Sequence, residues 1–167
     1  MTRTPAWDIV VVGGAYIDYV VQGSRLPGQG ETVVGNEFLK VPGGKGSNQA
    51  VAAARLGARV ALVARVGNDA QGDEIIARLN DEHVDTRYVM RDSTHQSGMS
   101  LIQVNEQGRK QMMVALGACQ LLSLEDVQQA TEAIQTARFV MTQLEIPLMV
   151  AMEAIRLGKQ SGARVFF

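Results

Sequence analysis

The run Gly43-Gly44-Lys45-Gly46-Ser47-Asn48-Gln49-Ala50 gathers residue types that let a backbone close on a ligand. Glycines accept positive φ and permit close approach, and the start of a helix offers N–H groups with no partner of their own. Lys45 adds a positive charge, and Asn48 an amide that donates and accepts at once. A structural turn bearing a surface lysine answers to the same residues. Two carboxylates join the set. Asp18 follows Gly13-Gly14-Ala15-Tyr16-Ile17 and could accept hydrogen bonds from vicinal hydroxyls, as on a sugar. It could equally close an Asx-turn on its own backbone. Glu145, in Thr142-Gln143-Leu144-Glu145-Ile146-Pro147, could face the same ligand. It could instead serve the dipole of a helix opened by Pro147.

Two nucleotide-binding patterns fail. A Walker A loop needs Ser or Thr directly after Gly-Lys, and here Gly46 separates Lys45 from Ser47. A dinucleotide fingerprint after the first apolar run would need glycine at positions 13, 15 and 18, where Ala15 and Asp18 break it. His83 and His95 have no ligand-spaced partner, which argues against zinc. Cys119, the one cysteine, cannot form an intrachain disulfide and has no evident histidine partner. The chain of 167 residues carries 16 Lys+Arg against 17 Asp+Glu, a balance that argues against a broad nucleic-acid-binding face. Its 46% hydrophobic content against 20% charged excludes a disordered chain. The start, Met1 to Trp7, reads as neither a leader nor a span, so a cytoplasmic location and no membrane partner are expected.

These residues must be held by elements that the pattern also predicts. Ile9 to Val12, Arg59 to Arg65, Phe139 to Thr142 and Arg164 to Phe167 read as buried strands of a parallel sheet. Ser47 to Leu56, Asp69 to Glu82, a stretch capped by Ser123 with Val127, Ala130, Ile134 and Ala137 inward, and Pro147 to Lys159 read as helices. Short strands are expected at Tyr19 to Val21, Glu31 to Val34, Phe38 to Val41 and Tyr88 to Arg91. Ser100 to Val104 and Lys110 to Ala115 flank a hairpin turn at Asn105-Glu106-Gln107-Gly108. Met99, Met112, Met113, Met141, Met149 and Met152 are expected to fill gaps in the core. Alternating β and α units predict an α/β fold with a mostly parallel central sheet; the strand-only stretches, roughly 17–41 and 98–115, predict a small second sheet.

Several ordered motifs together resemble the N-terminal half of a ribokinase-type carbohydrate kinase, the family that also holds fructokinase and adenosine kinase. They are Pro27-Gly28-Gln29-Gly30-Glu31-Thr32, the run from Gly43 to Gly57, Val66-Gly67-Asn68-Asp69-Ala70-Gln71-Gly72, and Gln143-Leu144-Glu145-Ile146-Pro147. The resemblance covers essentially residues 1–167 and implies a ribokinase-like βαβ sandwich with the small sheet as a lid. It implies ATP-dependent phosphorylation of a sugar hydroxymethyl group. Asp18, Gly44, Lys45, Asn48, Glu145 and Tyr16 would line the substrate site, and Gly43 with Gly44 would form the lid hinge.

The family's Gly-Ala-Gly-Asp base motif does not occur in this sequence, and no Asn has Glu three residues on. No catalytic residue, metal ligand or cofactor-binding residue is therefore assigned. ATP and magnesium are expected only of the full-length family member, with the nucleotide-binding half outside these residues and the chain inactive alone. The apolar end Val165-Phe166-Phe167 supports the expectation of a fragment. Tyr16 stands where ribokinases usually have an Asn that contacts ribose, and Gly117-Ala118-Cys119 where they tend to have Gly-Ala-Asn. Fructose, another hexose, a modified sugar or a nucleoside thus join ribose as expected substrates. A non-catalytic sugar or nucleoside sensor is the alternative function, and a homodimer through the lid the expected self-partner.

Overall fold

The computed structural model describes residues 6–167; the reading of the N-terminus concerns in part residues 1–5, which lie outside the described residues. Five parallel strands form the central sheet: β1 (Ile9–Val12), β4 (Val60–Gly67), β5 (Val84–Asp92), β8 (Phe139–Thr142) and β9 (Arg164–Phe166), in the order β5-β4-β1-β8-β9. Successive side chains of a strand point to opposite faces, and β1 shows the result. Val11 packs with Leu62, Ala64, Ala50, Ile75 and Leu79, beneath α1 (Lys45–Arg55) and α2 (Ala70–Asp81). Val10 and Val12 pack on the other side, with Val127, Ile134, Val150 and Ala154 of α3 (Leu124–Gln129), α4 (Thr131–Thr136) and α5 (Leu148–Gln160). Strands that read as continuous apolar runs do so because both faces are covered by helices.

A second sheet of four strands, in the order β3-β2-β6-β7, stands beside the first. It comprises β2 (Tyr16–Gly23), β3 (Glu37–Gly43), β6 (Gly98–Asn105) and β7 (Lys110–Ala115). β2 pairs antiparallel with β3 and parallel with β6, and β6 pairs antiparallel with β7 around the expected hairpin, where Gly108 has φ +73°.

Several expectations need correction. Glu31 to Val34 forms no strand but an irregular segment after a turn at 29–30; Glu31 pairs with Arg25 and accepts from the Gly28 N–H at 3.0 Å. β2 begins at Tyr16, so Asp18 lies within a strand and closes no Asx-turn. The helix opened by Ser123 has the capping box, but it breaks at Ala130 into α3 and α4. Met112, Met113, Met149 and Met152 are exposed rather than core. β9 is an edge strand with Phe166 exposed, and the turn Gly117–Leu121 is 3₁₀ helix.

Candidate functional site

Chain direction brings the chemistry together. In open α/β sheets the residues that meet ligands lie beyond the carboxyl ends of the strands. Gly13 to Ala15 leave the end of β1, and Gln143 to Ile146 leave the end of its neighbour β8. The start of α1 packs onto both. Ser47 N–H donates to the Gly14 carbonyl at 3.0 Å, and a Cβ on Gly46 would sit 2.6 Å from the Gly13 carbonyl carbon. Gly44, the N-cap, has φ +94°, and a Cβ there would lie 2.6 Å from the Gly14 oxygen. Glycine is required at both positions, and the functional side chains follow from this crossing.

Glu145 is the centre of one polar group. Its Oε2 accepts from the Lys45 backbone N–H at 2.6 Å, and its Oε1 accepts from the Tyr16 hydroxyl at 2.9 Å. The Lys45 ammonium also pairs with Oε1. α1 has no side-chain cap and no acidic residue in its first turn, so Glu145, in the segment that follows β8, supplies the negative charge that the helix start favours. Burial, reinforced by the bond to Glu145, pushes the Tyr16 phenol well above its ordinary range. Asp18 forms a second group. The Ser100 hydroxyl on β6 donates to its Oδ1, and Gly43 lies against it so closely that a Cβ would fall 2.6 Å from the carboxylate. Asn48 lies one turn along α1 from Lys45 and presents its exposed amide on the same side of the helix. Among the described residues its side chain makes no hydrogen bond to protein.

Tyr16, Gly43, Gly44, Lys45 and Glu145 therefore converge. Asp18 adjoins them through Gly43, and Asn48 stands at the margin. A cleft of about 390 Å³ between α1 and α2 reaches this group at Tyr16, Ser47 and Asn48, and is otherwise lined by Pro42 of β3 and by residues of the two helices such as Val51 and Leu79. The cleft and the polar cluster thus meet only at their edges.

Sequence reasoning missed Ser100. Its signal is a lone serine in the apolar run Met99-Ser100-Leu101-Ile102, but only strand register places it opposite Asp18. It also missed the fork of Arg65, which holds Asp126 at 3.0 and 2.8 Å and Asp92 at 3.0 Å, joining β4 to α3 and β5. Cys119 is buried and donates to the Ala15 carbonyl at 3.3 Å. The motif around Asp69 is structural: Asp69 caps α2 at Gly72 and accepts from Ser97, where the chain enters β6.

A parallel α/β core carrying a small second sheet beside polar residues at the strand ends is the architecture of ribokinase-like sugar kinases. The chain belongs to the pfkB family of carbohydrate kinases, whose pattern it matches over residues 7–167. It is 39% identical over 159 residues to a ribokinase of Mus musculus, covering 95% of this chain and 49% of that protein. It is 35% identical over 158 residues to a deoxyribokinase of Salmonella typhi, covering 95% of this chain and 52% of that one. The structure of an Arabidopsis thaliana ribokinase complexed with ribose and ATP superposes with TM-score 0.80 at 30% identity, covering 96% of this chain and 52% of that one. The chain spans about half the length of these relatives.

Proposed function

We propose that the full-length protein phosphorylates a hydroxymethyl group of a sugar with ATP, and that residues 1–167 supply the sugar-binding lobe and its lid. The observation that carries this reading is the placement of Asp18. It lies on the second sheet, held by Ser100 and set against Gly43, next to the Tyr16–Glu145–Lys45 group. Asp18 and Asn48 would take sugar hydroxyls, with Gly44, Lys45, Tyr16 and Glu145 completing the wall. The matched ribokinase and deoxyribokinase support a pentose as the substrate class. Gly43 and Gly44 would hinge the lid, whose descent would exclude water from the transferred phosphoryl group.

The nucleotide and its metal are proposed to belong to the other half of the full-length protein. Among the described residues no group of three or more His, Cys, Asp or Glu could hold a metal ion, and no phosphate loop is present. No phosphoryl-transfer step is assigned to this chain; its residues bind and orient the acceptor. A cytoplasmic location is proposed on the single-cysteine composition; separately, no helix of the described residues is long and apolar enough to cross a membrane. Phe38, Leu101 and Met113 leave an apolar surface on the small sheet through which two copies would pair.

A coupled assay of ADP release with ribose, 2-deoxyribose, fructose and adenosine tests the reading. The full-length protein is expected to release ADP in a sugar-dependent manner, and the 167-residue chain alone is not. Sugar-dependent turnover by the isolated chain would refute the assignment of the chemistry to the other half. Sedimentation of the full-length protein as a monomer at high concentration would refute the dimer.

A further inference from the structure

The two faces of β2 make different contacts. Residues two apart share a face and neighbours oppose one another, so Tyr16 and Asp18 look one way and Ile17 and Tyr19 the other. The first face is met by Glu145 and Ser100. The second leans on α2: Ile17 is fully buried in one cluster with Ile75 and Leu79, and Tyr19 packs against that cluster. Two side-chain contacts tie the sheet there. The Tyr19 hydroxyl accepts from the Gln71 amide at 2.7 Å, and the Lys40 ammonium pairs with Glu74. Tyr19 and Lys40 are partners across β2 and β3, with the ammonium 5.8 Å from the ring centre. Gln71 and Glu74 are one turn apart on α2, where Glu74 also holds Arg78 at 2.9 Å. Each arm of the sheet thus has its own anchor on the helix.

Resting on the sugar-kinase reading and the Gly43–Gly44 hinge above, we propose that the Tyr19–Gln71 and Lys40–Glu74 contacts form a strap that holds the small sheet away from the substrate, and that Tyr19 and Lys40 are positioning residues for sugar binding. The strap lies on the face opposite Asp18, so a turn of the sheet toward the substrate carries it away from α2. Tyr19 and Lys40 stand three residues from Tyr16 and Gly43, about 10 Å along the ladder from the hinge. A turn of about 10° moves them about 2 Å, which takes both contacts out of hydrogen-bond reach. Ile17, nearer the axis, keeps its place in the core. Sugar binding therefore works against the strap, and the population that the strap holds open lowers the apparent affinity in proportion.

The test uses the full-length protein with spin labels on Gln22→Cys and Lys159→Cys, at the far end of β2 and on α5, and with D-ribose and 2-deoxy-D-ribose as probes. In the otherwise unaltered protein a bound sugar should shift the distribution of label separations. Tyr19→Phe removes the hydroxyl and Lys40→Met the charge, each with most of the side chain's bulk kept. Either is expected to shift the sugar-free distribution toward the sugar-bound one. Either should also tighten the calorimetric Kd about threefold to tenfold, the scale of one net hydrogen bond. A merely structural role would weaken binding instead. Separations that do not respond to a bound sugar overturn the proposal, whether or not the variants fold. So does a Kd unchanged or raised in both variants. If neither sugar binds the wild type, the sugar-kinase reading itself fails and the proposal with it.

Discussion

The hydroxyl of Ser100 on β6 donates to Oδ1 of Asp18, the residue directly beside it in the parallel pairing with β2. Ser100 is fully buried, so this bond fixes which way the carboxylate presents its other oxygen. Ser100→Ala in the full-length protein is expected to raise the sugar KM about tenfold, the weight of one charge-assisted hydrogen bond, with kcat changed far less. Steady-state kinetics with a parallel thermal melt would check this; an unchanged KM would make Ser100 mere packing.

Gly44 is where the chain turns from β3 into α1 with φ +94°. Gly44→Ala faces both an unfavourable backbone region and a Cβ 2.6 Å from the Gly14 oxygen. The substitution should cost about 2 kcal/mol or more of stability. Urea unfolding would measure it, and Gly57→Ala, with φ +89° but nothing within 4 Å of its Cβ, separates backbone strain from collision.

Asp92 ties β5 to the chain that follows it. The Thr94 N–H, the Thr94 hydroxyl and the His95 N–H hold its carboxyl well below the usual carboxylate range, with Arg65 assisting. A depressed folded-state value means that its contribution is fully present above the unfolded value of about 3.9 and is lost as pH falls toward the folded value. Asp92→Asn should therefore lower the melting temperature at pH 7, and the gap from wild type should close as pH falls below about 4. Melting curves from pH 7 to well below the unfolded value would show it; a gap that stays constant below that value would contradict it.

Burial pushes the Cys119 thiol up to about 11. The native protein at pH 8 should react with an aromatic disulfide reagent orders of magnitude more slowly than a free thiol, and stoichiometrically after denaturation. Rapid labelling of the native form would mean that the 3₁₀ turn around Cys119 opens.

The central strands could be read from sequence because β-branched runs covered on both faces admit few alternatives, and Ser123 announced its cap by a local pattern. Glu31 to Val34 misled because the β-branched residues there lie in an irregular segment whose first residue is braced by Arg25, an interaction six residues away in the chain but invisible to alternation. The methionines misled for a related reason: hydrophobicity gives no account of which face of α5 is covered, or of β7 being exposed along its whole length. Asp18 and Glu145 were nameable as candidates from their positions after apolar runs. Their different hydrogen-bonding states were not, since Ser100 and Tyr16 reach them across 82 and 129 residues of sequence.

The crossing of Gly13-Gly14 with Gly44 and Gly46 has a mechanical meaning. β2 leaves the core and β3 returns to it at one place, where backbone touches backbone. In a body turning about that place, displacement grows with distance from the axis. Tyr16 and Gly43, paired across β2 and β3 beside the crossing, would scarcely travel, whereas Gln22 and Glu37 at the far end of the same ladder would sweep widest. If the small sheet hinges there as proposed, the residues proposed to hold the substrate would sit at the fulcrum, and the sheet would swing without disturbing their geometry.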